Sequence, residues 1–225
     1  MPSINEYEYY MFDFDGTIFD SFPLSVVSGA ETMAKFRPGS PTVTDAWVKV
    51  NMGQTLPSFV RDMLGCSGTP ATDDEVVEAT AFFCQHQADF GQMYARIFDG
   101  SREAMQKLKQ AGKRISIVTS RTNQTLLPYL DVFGLAEFVD SVVTPDTVKN
   151  HKPDPESIDL ACEQMGVTDR HAAIMVGDMP TDILAGVAGG VDTCMVGWAN
   201  ILQVKTPEDL EPKPTHIVSS MLDFV

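Results

Sequence analysis

Basic residues are scarce in this sequence of 225 residues. Only 16 lysines and arginines stand against 31 aspartates and glutamates, so the formal net charge is −15 at pH 7. Nucleic acids and anionic membrane surfaces are bound through clusters of Lys and Arg, so this composition argues against both as partners. It leaves a small anionic substrate open, because such a substrate needs only a few cations in a local pocket.

Long apolar runs and closely spaced cysteines are also lacking. No stretch of about 20 apolar residues could cross a bilayer. The first residues, MPSINEYEYY, have no basic segment followed by an apolar one, which argues against a secretory signal. The four cysteines are far apart and form no C-x-x-C motif, which favours free thiols over disulfides or a zinc site. We therefore expect a cytoplasmic protein.

Short apolar runs alternate with segments that carry helix start and stop signals. The apolar runs predict strands at 9–14, 115–119, 138–143 and 173–177, and less clearly at 193–196 and 216–218. Ser101 is predicted to cap a helix that ends before Gly112, and Asp154 one that begins with Pro155 and ends before Gly166. A third helix is predicted from about Pro180 to Ala188, where two glycines follow. This alternation predicts an α/β fold with a doubly wound parallel sheet.

One long segment interrupts the alternation. It contains no convincing strand, and its patterns predict helices at 24–36, 55–64 and 73–94. The segment is too long to be the single helix that usually connects two parallel strands. We therefore expect an inserted α-helical cap domain over residues 21–97 and a core domain formed by residues 1–20 and 98–225.

Two predicted strands are followed by paired acids. Asp13 and Asp15 alternate on an extended segment, so their side chains point to the same side. Asp178 and Asp182 share one face if a helix begins there. Helix capping explains each acid singly. However, the carboxyl ends of parallel strands meet at one edge of a sheet, and four carboxylates at that edge would suit a hard cation such as Mg²⁺.

Residues suited to an anion follow two other predicted strands. Thr119 and Ser120 offer hydroxyls and backbone N–H groups where a helix begins, although capping alone explains them equally well. Lys152 is followed by Pro153 and Pro155, which restrict its loop and would hold the lysine in place. Lys149 is a rival without rigid neighbours, and we expect it to be solvated.

The ordered motifs together resemble the haloacid dehalogenase (HAD) superfamily of Mg²⁺-dependent phosphohydrolases. The motifs DFDGT at 13–17, Thr119 at a strand end, K-P-x-P at 152–155 and G-D-x-x-x-D at 177–182 are all intact. The likeness covers nearly the whole chain, and the helical cap after the first motif resembles the phosphoglycolate phosphatase-like branch. The resemblance implies a Rossmann-like core and hydrolysis of a small phosphorylated metabolite.

The resemblance also implies roles for the acids. Asp13 would attack phosphorus to form an aspartyl-phosphate. Asp15 would protonate the leaving oxygen and then deprotonate the water that cleaves the intermediate. Mg²⁺ would be held by the carboxylates of Asp13 and Asp178 and by the backbone carbonyl of Asp15, with Asp182 as a further ligand or an orienting neighbour.

The phosphoryl oxygens would be held by a second set of residues. The resemblance assigns this task to Thr119 and Lys152. The backbone N–H groups of Gly16 and Ser120 are weaker candidates for the same work. Together with Mg²⁺, Lys152 would offset the repulsion between a carboxylate nucleophile and a phosphate dianion.

Residues that differ between branches of the family distinguish the possible activities. Asp15 argues against a dehalogenase and against a phosphonate hydrolase, since both lack this second acid. Ser25 lies where a β-phosphoglucomutase-like enzyme has a cap histidine, which disfavours a phosphosugar mutase without excluding it. A non-catalytic phosphate-binding protein on the same fold is a further alternative.

Substrate choice is expected to depend on the cap. Gln54 lies in the segment 51–55 between two predicted helices, and both it and Arg61 could meet the substrate. An ordinary helix–helix turn and a surface position explain these two residues equally well. Phosphoglycolate, sugar phosphates, pyrophosphate and nucleoside monophosphates all fit the sequence, and the oligomeric state is left open.

Overall fold

The computed structural model describes residues 2–52, 54–199 and 210–225 of the chain. It divides into two units: Met1–Asp20 with Ile97–Val225, and Ser21–Arg96. We expect the boundary between core and cap at 97/98. That the first unit serves as a core and the second as a cap remains a prediction.

A six-stranded parallel sheet forms the centre of the first unit. Its spatial order is β5 (Ser141–Val143), β4 (Arg114–Val118), β1 (Tyr9–Phe12), β6 (Ala173–Gly177), β7 (Asp192–Val196) and β8 (His216–Val218). Every residue of β6 is buried, as expected for a strand covered on both faces. The predicted α/β fold with a parallel sheet is confirmed.

Four α-helices belong to the described part of the first unit. They are α5 (Ser101–Gln110), α6 (Asn123–Val132), α7 (Glu156–Met165) and α8 (Pro180–Ala188). Helix α7 packs on β4, β5 and β1, whereas α8 packs on β6 and β7. Ile158 of α7 and Ala185 of α8 lie in one buried cluster with Met11 and Met175 of the sheet. Burial of these side chains holds the strand ends in a fixed arrangement.

Several predicted boundaries of this unit were wrong by a few residues. Ser101 is the first helical residue of α5, and Gly100 occupies the capping position in the left-handed region. The Asp154 carboxylate does accept the N–H of Glu156, but Pro155 is the capping residue. Residues Ala136–Phe138, at the start of the predicted strand 138–143, form a 3₁₀ turn, so β5 begins only at Ser141.

The second unit is helical. It contains α1 (Phe22–Phe36), α2 (Asp45–Asn51), α3 (Leu56–Gly65) and α4 (Asp73–Tyr94), and its core includes Val48, Met63 and Phe83. Helix α2 was not predicted. It is only seven residues long, and the Thr44 side chain starts it by accepting the N–H of Trp47.

Two short strands connect the units. These are β2 (Phe19–Asp20) and β3 (Arg96–Ile97), which form a two-stranded sheet. Strand β3 falls in a segment that we predicted to be without strands, because two residues are too few for a periodic pattern. Among the described residues, no helix is long and apolar enough to cross a membrane.

Candidate active site

Four loops at one edge of the sheet, after β1, β4, β5 and β6, carry the candidate residues. Asp13 follows β1 directly, and its N–H donates to Val176 of β6 at 2.8 Å. Thr119 follows β4, and its N–H donates to Val143 of β5 at 3.0 Å. These bonds continue the strand pairing to the point where each loop begins. The side chains after neighbouring strands are therefore held close together.

Lys152 lies between two carboxylates. Its Nζ is 2.7 Å from Asp13 Oδ1, 2.6 Å from Asp182 Oδ1 and 3.0 Å from the backbone oxygen of Val118. Three acceptors match the three protons of an ammonium group. The Lys152 side chain is only 7% exposed, whereas Lys149 is an exposed residue. The structure therefore brings the predicted lysine, and not its rival, to the acids.

The carboxylates of Asp13, Asp178 and Asp182 form a buried cluster. One oxygen from each carboxylate lies within 4.8 Å of one oxygen of each of the other two. Asp182 Oδ2 accepts the N–H of Met179 at 3.0 Å, and Asp178 Oδ1 accepts the Thr17 hydroxyl at 3.4 Å. Asp178 Oδ2 is buried and has no hydrogen-bond partner among the described residues.

This cluster carries more negative than positive charge. Burial raises the pKa of Asp13 to about 7, although the ammonium of Lys152 lowers it. Burial and the charges of Asp13 and Asp182 raise the pKa of Asp178 well above its usual range. Burial alone would lower the pKa of Lys152, but the two carboxylates raise it. A divalent cation would neutralise the excess, and hard carboxylate oxygens with one orphaned atom fit Mg²⁺.

The turn after β1 brings its backbone against Asp178. Gly16 has φ +83°, and a Cβ atom at this position would overlap the Asp178 carboxylate. The N–H of Gly16 donates to the backbone oxygen of Phe19 at 2.8 Å. Since that N–H is engaged within the turn, the placement favours Thr119 and Ser120 over Gly16 as donors to a phosphate.

Asp15 makes a bidentate ion pair that sequence reasoning missed. Arg121 Nε lies 2.9 Å from Asp15 Oδ2, and Arg121 Nη2 lies 2.5 Å from Asp15 Oδ1. The guanidinium carbon is 5.3 Å and 5.4 Å from the ring centroids of Phe19 and Tyr129. The only sequence signal for Arg121 is its position two residues after Thr119, in the loop predicted to bind phosphate.

The two hydroxyls of this loop have different surroundings. Thr119 is buried, and its Oγ1 accepts the N–H of Arg121 at 3.2 Å. Ser120 is exposed and lies three residues before the first residue of α6, Asn123. Both therefore remain at the edge of the sheet where the acids gather.

The predicted cap residues have contacts inside their own unit. Gln54 Nε2 donates to Asn51 Oδ1 at 3.2 Å. Arg61 donates to the backbone oxygen of Ala71 at 3.3 Å and to Asp73 Oδ1 at 2.7 Å. Gly53, in the predicted segment 51–55, lies outside the described residues. These contacts account for Arg61 without a substrate, so its proposed role stays a prediction.

Comparison with known proteins decides the family. The model of the haloacid dehalogenase-like hydrolases matches residues 10–196. The chain belongs to this family. A pyrophosphatase PpaX from Halalkalibacterium halodurans is 31% identical over 196 residues, covering 84% of this chain and 83% of the relative. A phosphoglycolate phosphatase from Cupriavidus necator is 30% identical over 188 residues, covering 84% of this chain and 80% of the relative.

Solved structures of other HAD proteins share the fold. A predicted phosphoglycolate phosphatase from Haemophilus somnus superposes with a TM-score of 0.84 at 20% identity, covering 97% of this chain and 96% of that one. A haloacid dehalogenase-like hydrolase from Bacteroides fragilis gives 0.81 at 22% identity, covering 97% and 100%. The family model and the two relatives confirm the predicted family and the predicted enzyme class, an HAD-like phosphatase.

Proposed function

We propose that this HAD enzyme is a Mg²⁺-dependent phosphatase that hydrolyses a small phosphorylated metabolite through an aspartyl-phosphate on Asp13. One observation carries the proposal: Asp13 directly follows the central strand β1, is held by Lys152 at 2.7 Å, and lies within 4.8 Å of two further buried carboxylates. Such a group combines a nucleophile, a fixed cation and the donor set for a hard metal ion.

In the first step Asp13 attacks phosphorus and the P–O bond to the leaving group breaks. Lys152 bonds to Oδ1 of Asp13, so we assign the attack to Oδ2. The leaving oxygen takes a proton from Asp15. In the second step Asp15 takes a proton from water, which cleaves the phosphoryl–aspartate bond and releases inorganic phosphate.

Mg²⁺ would be held by Asp13, Asp178 and the backbone carbonyl of Asp15, and it would supply positive charge against the phosphate dianion. Asp182 already accepts hydrogen bonds at both oxygens, from Lys152 and from the Met179 N–H. We therefore assign Asp182 the role of orienting Lys152. Thr119 holds the phosphoryl oxygens, with the N–H of Ser120 as a further donor. Lys152, whose three protons have acceptors in Asp13, Asp182 and Val118, supplies its positive charge beside them.

The first test compares the wild type with Asp13→Asn. We expect the variant to lose at least about 10³-fold in kcat on 4-nitrophenyl phosphate with Mg²⁺, because no carboxylate is left to form the covalent intermediate. Asp131→Asn, at an exposed position of α6, is the matched control and should keep wild-type activity. Equal rates for Asp13→Asn and the wild type would remove Asp13 as the nucleophile.

The substrate class is tested with a panel of metabolites. The relatives named above are a pyrophosphatase and a phosphoglycolate phosphatase, so we include pyrophosphate and phosphoglycolate with sugar phosphates and nucleoside monophosphates. Comparison of kcat/KM ranks them. Conversion of a sugar 1-phosphate to its 6-phosphate would instead favour a mutase, and saturable binding without phosphate release would favour a binding protein.

A further inference from the structure

The ion pair between Arg121 and Asp15 has the geometry to control the acid–base step. We propose that Arg121 is a positioning residue that fixes the orientation of the Asp15 carboxylate for proton transfer. This inference rests on the proposed function, because it assigns a role to Arg121 through Asp15. Arg121 does not need to touch the substrate to act in this way.

The bidentate contact fixes the orientation of the Asp15 carboxylate as well as its distance from Arg121. Two N–H groups of one planar guanidinium meet the two oxygens of one carboxylate, at 2.9 and 2.5 Å. Such a pair sets the rotation of the carboxylate about its own axis, which a single hydrogen bond does not. Proton transfer to a leaving oxygen depends on this orientation.

Arg121 is itself held on several sides. Its side chain is only 9% exposed, whereas the Asp15 side chain is 30% exposed. The guanidinium lies over the rings of Phe19 and Tyr129, and both rings are buried. Its backbone N–H bonds to Thr119 Oγ1. Arg121 is therefore a fixed group from the loop after β4 that holds a more exposed carboxylate in the loop after β1.

The first experiment varies the leaving group. Single-turnover release of the phenol is measured with phenyl phosphate and with 2,4-dinitrophenyl phosphate for the wild type and Arg121→Met. We expect about a 10- to 100-fold loss on phenyl phosphate, below the limit for removing general acid catalysis altogether. The loss on 2,4-dinitrophenyl phosphate should be several-fold smaller, because that leaving group departs without a proton.

Two further variants separate the effect of the positive charge of Arg121 from the effect of its bidentate geometry. Arg121→Lys keeps a cation near the two rings but cannot form the bidentate pair, so we expect an intermediate loss with the same substrate dependence. If Arg121→Met does not fold, Arg121→Lys is compared with the wild type on the same two substrates. Arg102→Met is the matched control, since Arg102 also pairs with a carboxylate, Glu137 at 3.0 Å, and lies 5.3 Å from an aromatic ring, but at an exposed position. It should keep both rates.

A double-mutant cycle with Asp15→Asn decides the proposal. If Arg121 acts through Asp15, Arg121→Met should cause no further loss in the Asp15→Asn background. A further loss there, or an equal loss on both aryl phosphates, would overturn the inference and indicate direct phosphate binding or a structural role. A wild-type enzyme without turnover would instead refute the proposed function, so the two failures are distinguishable.

Discussion

At the scale of single residues, the site depends on close backbone approach as much as on charge. Gly16 turns in the left-handed region next to Asp178, and no space remains there for a side chain. Gly112 has a similar φ, +78° against +83°, but a Cβ atom at Gly112 would meet no atom of residues 2–52, 54–199 or 210–225 within 4 Å. A comparison of substitutions at Gly16 and Gly112 therefore separates the effect of backbone strain from the effect of displacing the Asp178 carboxylate.

We expect Gly16→Ala to lose more than about tenfold in kcat, whereas Gly112→Ala keeps wild-type activity. Both variants should lose about 1–2 kcal/mol of stability, the cost of placing an L-residue in the left-handed region. Only Gly16→Ala also pushes Asp178 away from Asp13. The measurements are phosphate release and thermal unfolding. Equal activity of the two variants would show that Asp178 tolerates the displacement.

The residues of the site differ in how far the sequence could predict them. The acids were predictable because parallel strands end at one edge, and Lys152 because prolines restrict its loop. The partner of Asp15 was not predictable, because Arg121 lies 106 residues away and the contact depends on the shape of two loops. Side-chain pairing between loops has no periodic signal in the sequence.

At the scale of elements, Asp140 joins three of them. Its carboxylate accepts the N–H of Ile115 in β4 at 2.8 Å, Lys109 Nζ of α5 at 2.6 Å and Arg114 Nε at 3.0 Å. Its own N–H donates to the oxygen of Ile115, one residue before β5 begins. Although burial alone would raise the pKa of Asp140, the hydrogen bonds from Lys109 and Ile115 lower it.

We expect Asp140→Asn to lose about 1–3 kcal/mol of unfolding free energy at pH 7, since it weakens hydrogen bonds to a charged acceptor. The pKa of Asp140 is lower in the folded state, so its contribution is present above the unfolded pKa of about 3.9 and is lost as pH falls. The difference between wild type and variant should therefore shrink below about pH 4, measured by urea unfolding.

Glu103→Gln is the control for Asp140. Glu103 pairs with Lys107 on the exposed face of α5 at 2.8 Å, and such surface pairs contribute about 0.3–0.5 kcal/mol. A loss for Asp140→Asn as small as that of Glu103→Gln, or one that does not change with pH, would contradict the assigned role.

Most element types were predictable from the sequence, but some of the short elements were not. The helices α4 and α8 and the strands β6 and β8 have the predicted bounds because apolar spacing and glycine or proline punctuation agree there. Helix α2 and strand β3 have too few residues for either period to show. Their existence depends on tertiary contacts and capping, which local patterns do not contain.

At the scale of the whole molecule, the net charge of −15 affects any test of metal binding. Added salt screens repulsion over the whole surface and stabilises an acidic protein without binding a specific site. The carboxylate cluster should respond differently. It holds three acids against one lysine, and Asp178 Oδ2 has no hydrogen-bond partner in the part of the chain that the structure describes. Specific binding must therefore be separated from screening.

We expect Mg²⁺ to raise the unfolding temperature of the wild type above its value in NaCl of equal ionic strength. A ligand that binds only the folded state adds about 2.7 kcal/mol at a concentration 100 times its Kd. Asp178→Asn should abolish this specific increase, because it removes a carboxylate ligand. Without metal the same variant should be at least as stable as the wild type, because it removes a like charge from the cluster.

Asp131→Asn removes the same charge from the surface and should keep the Mg²⁺ response. An equal response of Asp178→Asn and the wild type would place the metal elsewhere or reduce the effect to screening.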